Sequence, residues 1–169
     1  MTFDQPDLTL RPAQANEVDI IAGHRRAMFA EIRHLPHAQL NAMDAVFRPW
    51  LAEHMARGTY HGWFAVNTAG VVVGGAGLWL MDWPPHMAHV EPMRGNIVNV
   101  YVLPAYRRRG LARALTEAAL AWCRENGVRM VILHASEAGR PIYAALGFTP
   151  TNEMSLVLDL DQPPPAHTA

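Results

Sequence analysis

Residues Tyr106 to Leu115 read YRRRGLARAL: three consecutive guanidinium groups, a glycine, then helix-forming residues. The chemistry open to such a stretch is anion binding. A helix opening near Gly110 leaves its first N–H groups without intrahelical partners, and its dipole adds partial positive charge there. Gly110 and Ala112 carry little bulk, so an anion can approach that backbone closely. Arg107, Arg108 and Arg109 place guanidinium donors around the same point. A ligand with clustered negative oxygens, such as a pyrophosphate, suits the pattern. Taken alone, the same residues also read as a solvated arginine turn that keeps a helix entry polar.

Composition narrows the partners. The 169 residues suffice for one domain with a substantial core, and half of them are apolar. Fourteen basic residues against fifteen acidic ones leave a net charge of −1, against the strongly basic balance of a general nucleic-acid binder. No aromatic-interleaved basic stripe accompanies the arginines, so no nucleic-acid partner is expected. All fourteen basic residues are arginine, which removes a pyridoxal Schiff base, a Walker-type phosphate lysine and any catalytic lysine. Cys123 is the single cysteine and supplies neither an internal disulfide nor a zinc framework. No signal-like N-terminus and no apolar run of membrane-spanning length stand out, so the expectation is a cytoplasmic protein with no membrane partner.

The elements that must position the arginine turn follow from periodicity. LTLRPA (8–13) alternates as a short strand. NEVDIIAGHRRAMFAEIR (16–33) predicts a helix with Asn16 as N-cap and Val18, Ile21, Met28 and Ile32 on one face. A second helix carries Leu40, Met43, Phe47, Trp50 and Leu51 on a stripe and stops at Gly58; Pro49 inside it predicts a kink or two shorter helices. Two strands surround the turn Thr68-Ala69-Gly70, and a proline-bearing loop spans 82–95. NIVNVYVL (96–103) is a strand ended by Pro104. A helix over 111–126 places Leu111, Leu115, Ala118 and Trp122 on one face. A strand over 129–135, a short helix over 137–146 and a last strand over 153–160 complete the order. Strands 96–103 and 129–135, joined through a helix, are expected to be parallel; the other pairs are expected to be antiparallel. GGAG (74–77) lacks the helix of a dinucleotide fingerprint and reads as a bulge or a close backbone approach.

The run Val100 to Ala112, V-x-V-x-P-x-Y-R-x-x-G-x-A, resembles the coenzyme A-binding motif of the GCN5-related N-acetyltransferases. Its Gln/Arg-x-x-Gly-x-Gly/Ala positions fall on Arg107, Arg108, Arg109, Gly110, Leu111 and Ala112. IYAALGF (142–148) is similar to the second signature of that family. The resemblance covers nearly the whole chain. It implies an α/β (α+β) fold: a mixed, mostly antiparallel sheet whose central parallel pair splays for coenzyme A, flanked by about four helices. It also implies one acetyltransferase domain over 8–160, with 1–7 and 161–169 as flexible termini. The main chain of Tyr101, Val102 and Leu103 would pair with pantetheine amides, and N–H groups from Arg108 to Arg113 would hold the pyrophosphate.

The reaction implied is transfer of an acetyl group from acetyl-CoA to a primary amine by direct attack. That chemistry needs a neutral amine, a stabilised oxyanion and a proton for the thiolate. By resemblance Tyr143 supplies the proton and a backbone N–H of the 100–103 strand holds the oxyanion. Ser136, where the family often has Asn, would contact the coenzyme. No general base follows: the position where some relatives carry glutamate is Asn96, leaving Glu91, His86, His89 and His134 as candidates. His86 and His89 lack a third ligand, so no metal is expected. Phe29, Trp79 and Trp83, with Met81, are the candidate acceptor lining; core packing is the equal alternative. A small-molecule acceptor is favoured. A non-catalytic acyl-CoA sensor and a peptide or protein N-acetyltransferase remain alternatives, and exposed sheet edges leave a homodimer open.

Overall fold

A computed structural model describes residues 5–85, 87 and 90–156. In chain order it contains β1 (Leu8–Pro12), α1 (Val18–Arg33), α2 (His37–Ala56), β2 (Tyr60–Asn67), β3 (Val72–Asp82), β4 (Met93–Val102), a 3-10 turn (Pro104–Tyr106), α3 (Leu111–Glu125), β5 (Val131–Leu133) and α4 (Arg140–Ala145). The strands form one five-stranded sheet in sequence order, antiparallel except for the parallel pair β4–β5.

The sheet is a partition between two cores. On one face α3 buries Leu111, Leu115, Ala119 and Cys123 against Leu78, Ile97 and Val102. On the other, α1 and α2 bring Ile21, Phe47 and Leu51 onto Tyr60, Phe64 and Val66. The expected α3 stripe is rotated slightly, with Ala118 and Trp122 on its flank and Cys123 at its centre. The glycines of β3 are close approaches, as their spacing suggested. A Cβ on Gly77 would lie 1.9 Å from the Tyr60 hydroxyl, and one on Gly74 would lie 3.1 Å from the Tyr101 carbonyl oxygen.

Several expectations change. Pro49 lies within an uninterrupted α2; its ring is exposed, so the hydrogen bond it cannot donate is lost on the solvent side. Glu17, not Asn16, is the residue preceding α1, and its carboxylate accepts from Arg11 and from the Gln14 N–H instead of capping the helix. β4 starts at Met93, three residues earlier than expected, because the chain folds back as a hairpin with Trp83 N–H donating to Pro92. The expected strand over 153–160 is absent from 153–156, where Met154 and Leu156 stand exposed; 157–160 lie outside the described residues. Within the segment read as a frayed N-terminus, Gln5 and Asp7 grip the Arg109 side chain.

One half-buried histidine sets an acid limit on this fold. His24 faces the rings of Phe64 and Tyr101, and burial pushes its imidazole down to about 4. The unfolded chain therefore binds a proton below about pH 6.5 that the folded chain refuses, so stability falls as pH drops from about 6.5 to about 4. The loss from this residue is on the order of 3 kcal/mol. Urea midpoints at pH 7, 6 and 5 check it: His24→Gln should flatten the decline, and an unchanged slope would acquit this residue.

Candidate active site

The parallel pair makes the cleft. β5 pairs with β4 only at Gly95, Asn96 and Ile97 and ends at Leu133. Among the described residues, β4 from Val98 onward has no strand on its outer edge. The chain after β5 instead turns through Ser136 into α4, which forms the opposite wall. Between them lies a cleft of about 680 Å³, lined by Val100, Val102, Ser136 and Tyr143 and ending at Gly110 and Arg113.

At that end the chain adopts two left-handed residues in quick succession, Arg108 (φ 61°) and Gly110 (φ 75°). Such alternation turns successive N–H groups toward one concavity, a nest for anions. The first bond internal to α3 runs from Ala114 N–H to the Gly110 carbonyl. The N–H groups of Leu111, Ala112 and Arg113 are thus left over by the helix, and Gly110 provides no side-chain cap.

The three arginines do not converge as expected. Arg107 donates from Nε to the Val102 carbonyl (2.9 Å) and from Nη2 to Glu31 (2.6 Å). Arg109 turns away to Asp7 and Gln5 and is no part of the cleft lining. Among the described residues only Arg108 of the three forms no ion pair, and it lines the cleft. Extended and left-handed residues send neighbouring side chains in different directions, so a run of arginines in a turn cannot focus on one point.

The main-chain expectation also needs correction. Leu103 donates to Val73, and Tyr101 is opposite Gly75, so the amides of these two residues face β3. Strand alternation sends the Val102 N–H the other way, and both Val102 and Val100 line the cleft. Three consecutive residues cannot all present their amides to one side. Val100 enters because β4 carries a bulge: the register jumps from Gly75–Tyr101 to Gly77–Val98, leaving Asn99 and Val100 outside the ladder.

Tyr143 sits on α4 with its ring edge-on to Phe148, at 6.0 Å between centroids. Burial raises its phenol above the usual tyrosine value, and its hydroxyl has no protein partner among the described residues. Ser136 lines the same wall, its Oγ accepting the Gly139 N–H at 3.2 Å. Met28 and Ile32 of α1 add an apolar side, a role their shared helical face did hint at. Glu31 was not foreseen. It stands on an exposed helix face with nothing in the sequence to mark it, yet it accepts from both Tyr101 Oη (2.8 Å) and Arg107. Burial alone would raise its carboxyl, but the hydrogen bonds from Arg107 and Tyr101 and the Arg107 charge together hold it below the usual range.

The remaining candidates lie elsewhere. Phe29 packs on the Arg25 guanidinium, Trp79 on Trp50 and His54, and Trp83 beneath Arg94; none lines the Tyr143 cleft. Glu91 pairs with Arg129 and His134 with Glu153, also outside it. Asn96 is buried in the ladder. His86 and His89 lie outside the described residues.

A cleft with main-chain donors along one wall, an apolar side and an amide nest at its end suits an elongated thioester that ends in a diphosphate. The class defined is an α/β protein with a splayed parallel pair built to hold such a ligand. Comparison with known proteins agrees: residues 26–148 match the signature of the acetyltransferase (GNAT) family, and the chain belongs to that family. Its fold superimposes on a GCN5-related N-acetyltransferase from Ralstonia eutropha JMP134 with TM-score 0.83 and 39% identity, covering 89% of this chain and 98% of that one. A predicted acetyltransferase from Clostridium acetobutylicum, solved with acetyl-CoA, shares the fold at TM-score 0.81 and 23% identity over 90% of this chain and 96% of that one. The chain is also 38% identical over 94 residues to a mycothiol acetyltransferase of Thermobispora bispora, a match to 52% of this chain and 30% of the relative. It is 35% identical over 97 residues to a glucosamine 6-phosphate N-acetyltransferase of Trypanosoma brucei brucei, a match to 57% of this chain and 63% of the relative. The chain thus spans less than two thirds of either curated relative.

Proposed function

We propose that this protein transfers the acetyl group of acetyl-CoA to the primary amine of a small molecule, by direct attack on the thioester. One observation supports the reading: a cleft lined by Val100 of the β4 bulge on one wall and Tyr143 on the other, running to Gly110. The diphosphate lies against the N–H groups of Leu111 to Arg113, with Arg108 adding charge. Val102 N–H donates to a pantetheine amide carbonyl, and Val100 N–H donates to the developing oxyanion. Tyr143, kept protonated by burial, gives its proton to the departing thiolate, and the proton shed by the attacking amine nitrogen restores the phenol by way of solvent. The names of the two curated relatives, both small-molecule acetyltransferases, support a small acceptor. A domain over 8–160 acting in the cytoplasm, with a buried cysteine that needs no oxidising compartment, fits this reading.

The test is release of free thiol from acetyl-CoA across a panel of amino sugars, aminoglycosides, amino acids and peptides. Turnover with a small amine is the expected result. Tight acetyl-CoA binding with no turnover on any acceptor would replace the enzyme with a sensor. Turnover on peptides alone would move the acceptor to a protein.

A further inference from the structure

The bulge that frees Val100 contains a strained residue. Asn99 has φ 56°, a left-handed conformation that costs a non-glycine residue energy and persists only where its surroundings enforce it. The enforcement is visible. Arg25 Nη1 donates to Asn99 Oδ1 at 2.7 Å, and Asn99 Nδ2 donates to the Tyr60 hydroxyl at 3.0 Å. Both polar ends of the amide are thereby fixed, in a residue only 5% exposed. Arg25 is itself held between aromatic rings, its guanidinium carbon 4.8 Å from the Phe29 centroid and 4.5 Å from that of Phe47. Its Nε is buried without a partner, and Asp44, the nearby carboxylate, bonds to Arg26 instead. A half-buried cation with no salt-bridge partner among the described residues relies on its remaining hydrogen bonds, so the charge-assisted bond to Asn99 is a strong one.

We infer that Arg25, acting with Tyr60 through the Asn99 amide, is a positioning residue that locks the β4 bulge and so aims the Val100 N–H at the reacting carbonyl. Arg25 does not line the Tyr143 cleft. It fixes the backbone that does. The inference rests on the acetyl-transfer reading for its consequence, but the backbone geometry can be observed without turnover. It also gives Phe29 a role other than acceptor lining: one of the two rings that orient Arg25.

Glycine adopts the left-handed region without cost, whereas alanine does not. Asn99→Ala and Asn99→Gly both delete the amide, but only the first leaves a residue that resists φ 56°. Asn99→Ala is expected to lower kcat by at least about tenfold, with acetyl-CoA affinity changed less than about twofold; Asn99→Gly should retain most of the turnover. Arg25→Gln should behave like Asn99→Ala in the native background and add almost nothing in the Asn99→Gly background. The Val100 amide resonance, read by NMR on the coenzyme-free protein, should move in Arg25→Gln and Asn99→Ala and stay near its native position in Asn99→Gly. Equal losses for alanine and glycine would overturn the inference, as would a Val100 resonance indifferent to Arg25. If native protein turns over no acceptor, the proposed function fails while the resonance test still decides this one. Should Arg25→Gln not fold, the alanine–glycine comparison at position 99 decides alone.

Discussion

Tyr143→Phe is expected to lower kcat by roughly two to three orders of magnitude while acetyl-CoA affinity stays within about twofold. The structure makes this a clean substitution. The ring keeps its edge-on contact with Phe148 at 6.0 Å, and the hydroxyl has no protein partner among the described residues to leave stranded. What disappears is the proton. Thiolate departure from the adduct then draws on water, which the apolar walls of Met28, Ile32 and Ile142 do not favour. The pH profile supplies a second check. Burial raises the phenol above its ordinary value of 10.0, so the acid form persists as pH rises through 9, and the native enzyme should show no decline from this group until higher pH. Steady-state rates from pH 7 to 10, beside coenzyme dissociation constants by calorimetry, check both parts. A variant with native kcat would remove Tyr143 from the chemistry, and one that lost coenzyme affinity in proportion would make it a binding residue.

Much of this site is legible in the sequence because its central parts are local. Pro104 ends a strand, Gly110 opens a helix, and the residues between must turn; a nest of main-chain N–H groups needs little more than that order. The α4 tyrosine likewise comes with its own Leu-Gly-Phe terminus. Registers and partners are not local. Nothing within NIVNVYVL announces a bulge, because it depends on the partner strand β3, whose glycines let the Tyr60 hydroxyl and the Tyr101 carbonyl come close, and on distant side chains that hold Asn99. Which amides face the cleft depends on that bulge, so Tyr101 and Leu103 were as plausible as Val100 and Val102. The arginine run misleads for the same reason: Glu31 and Asp7, 76 and 102 residues away in the chain, decide where two of the three guanidinium groups go. A charge cluster in sequence becomes a charge cluster in space only when no distant carboxylate intervenes.

That redistribution sharpens what Gly110 does. Gly110→Val is expected to weaken acetyl-CoA binding by about thirtyfold or more, whereas Arg108→Ala should cost only several-fold. A Cβ on Gly110 would meet no protein atom within 4 Å, so the loss does not come from an internal clash. It comes from two other sources. At φ 75° a β-branched residue is strained by at least ~1–2 kcal/mol, which shifts the turn away from the conformation that gathers its N–H groups. The added methyls also occupy the open space beside Leu111 and Ala112, where a diphosphate must approach the main chain. Arg108, by contrast, is an exposed cation whose attraction is screened by salt. Its own φ of 61° allows charge and conformation to be separated. Arg108→Gly removes the same charge as Arg108→Ala but relaxes the turn into the nest geometry, so it should bind coenzyme more tightly than the alanine variant. Calorimetric titration of the three variants at low and moderate salt decides the matter. Equal losses for Gly110→Val and Arg108→Ala would make side-chain charge, and not the backbone nest, the source of affinity. An Arg108→Gly variant weaker than Arg108→Ala would show that the left-handed turn is not what the coenzyme selects.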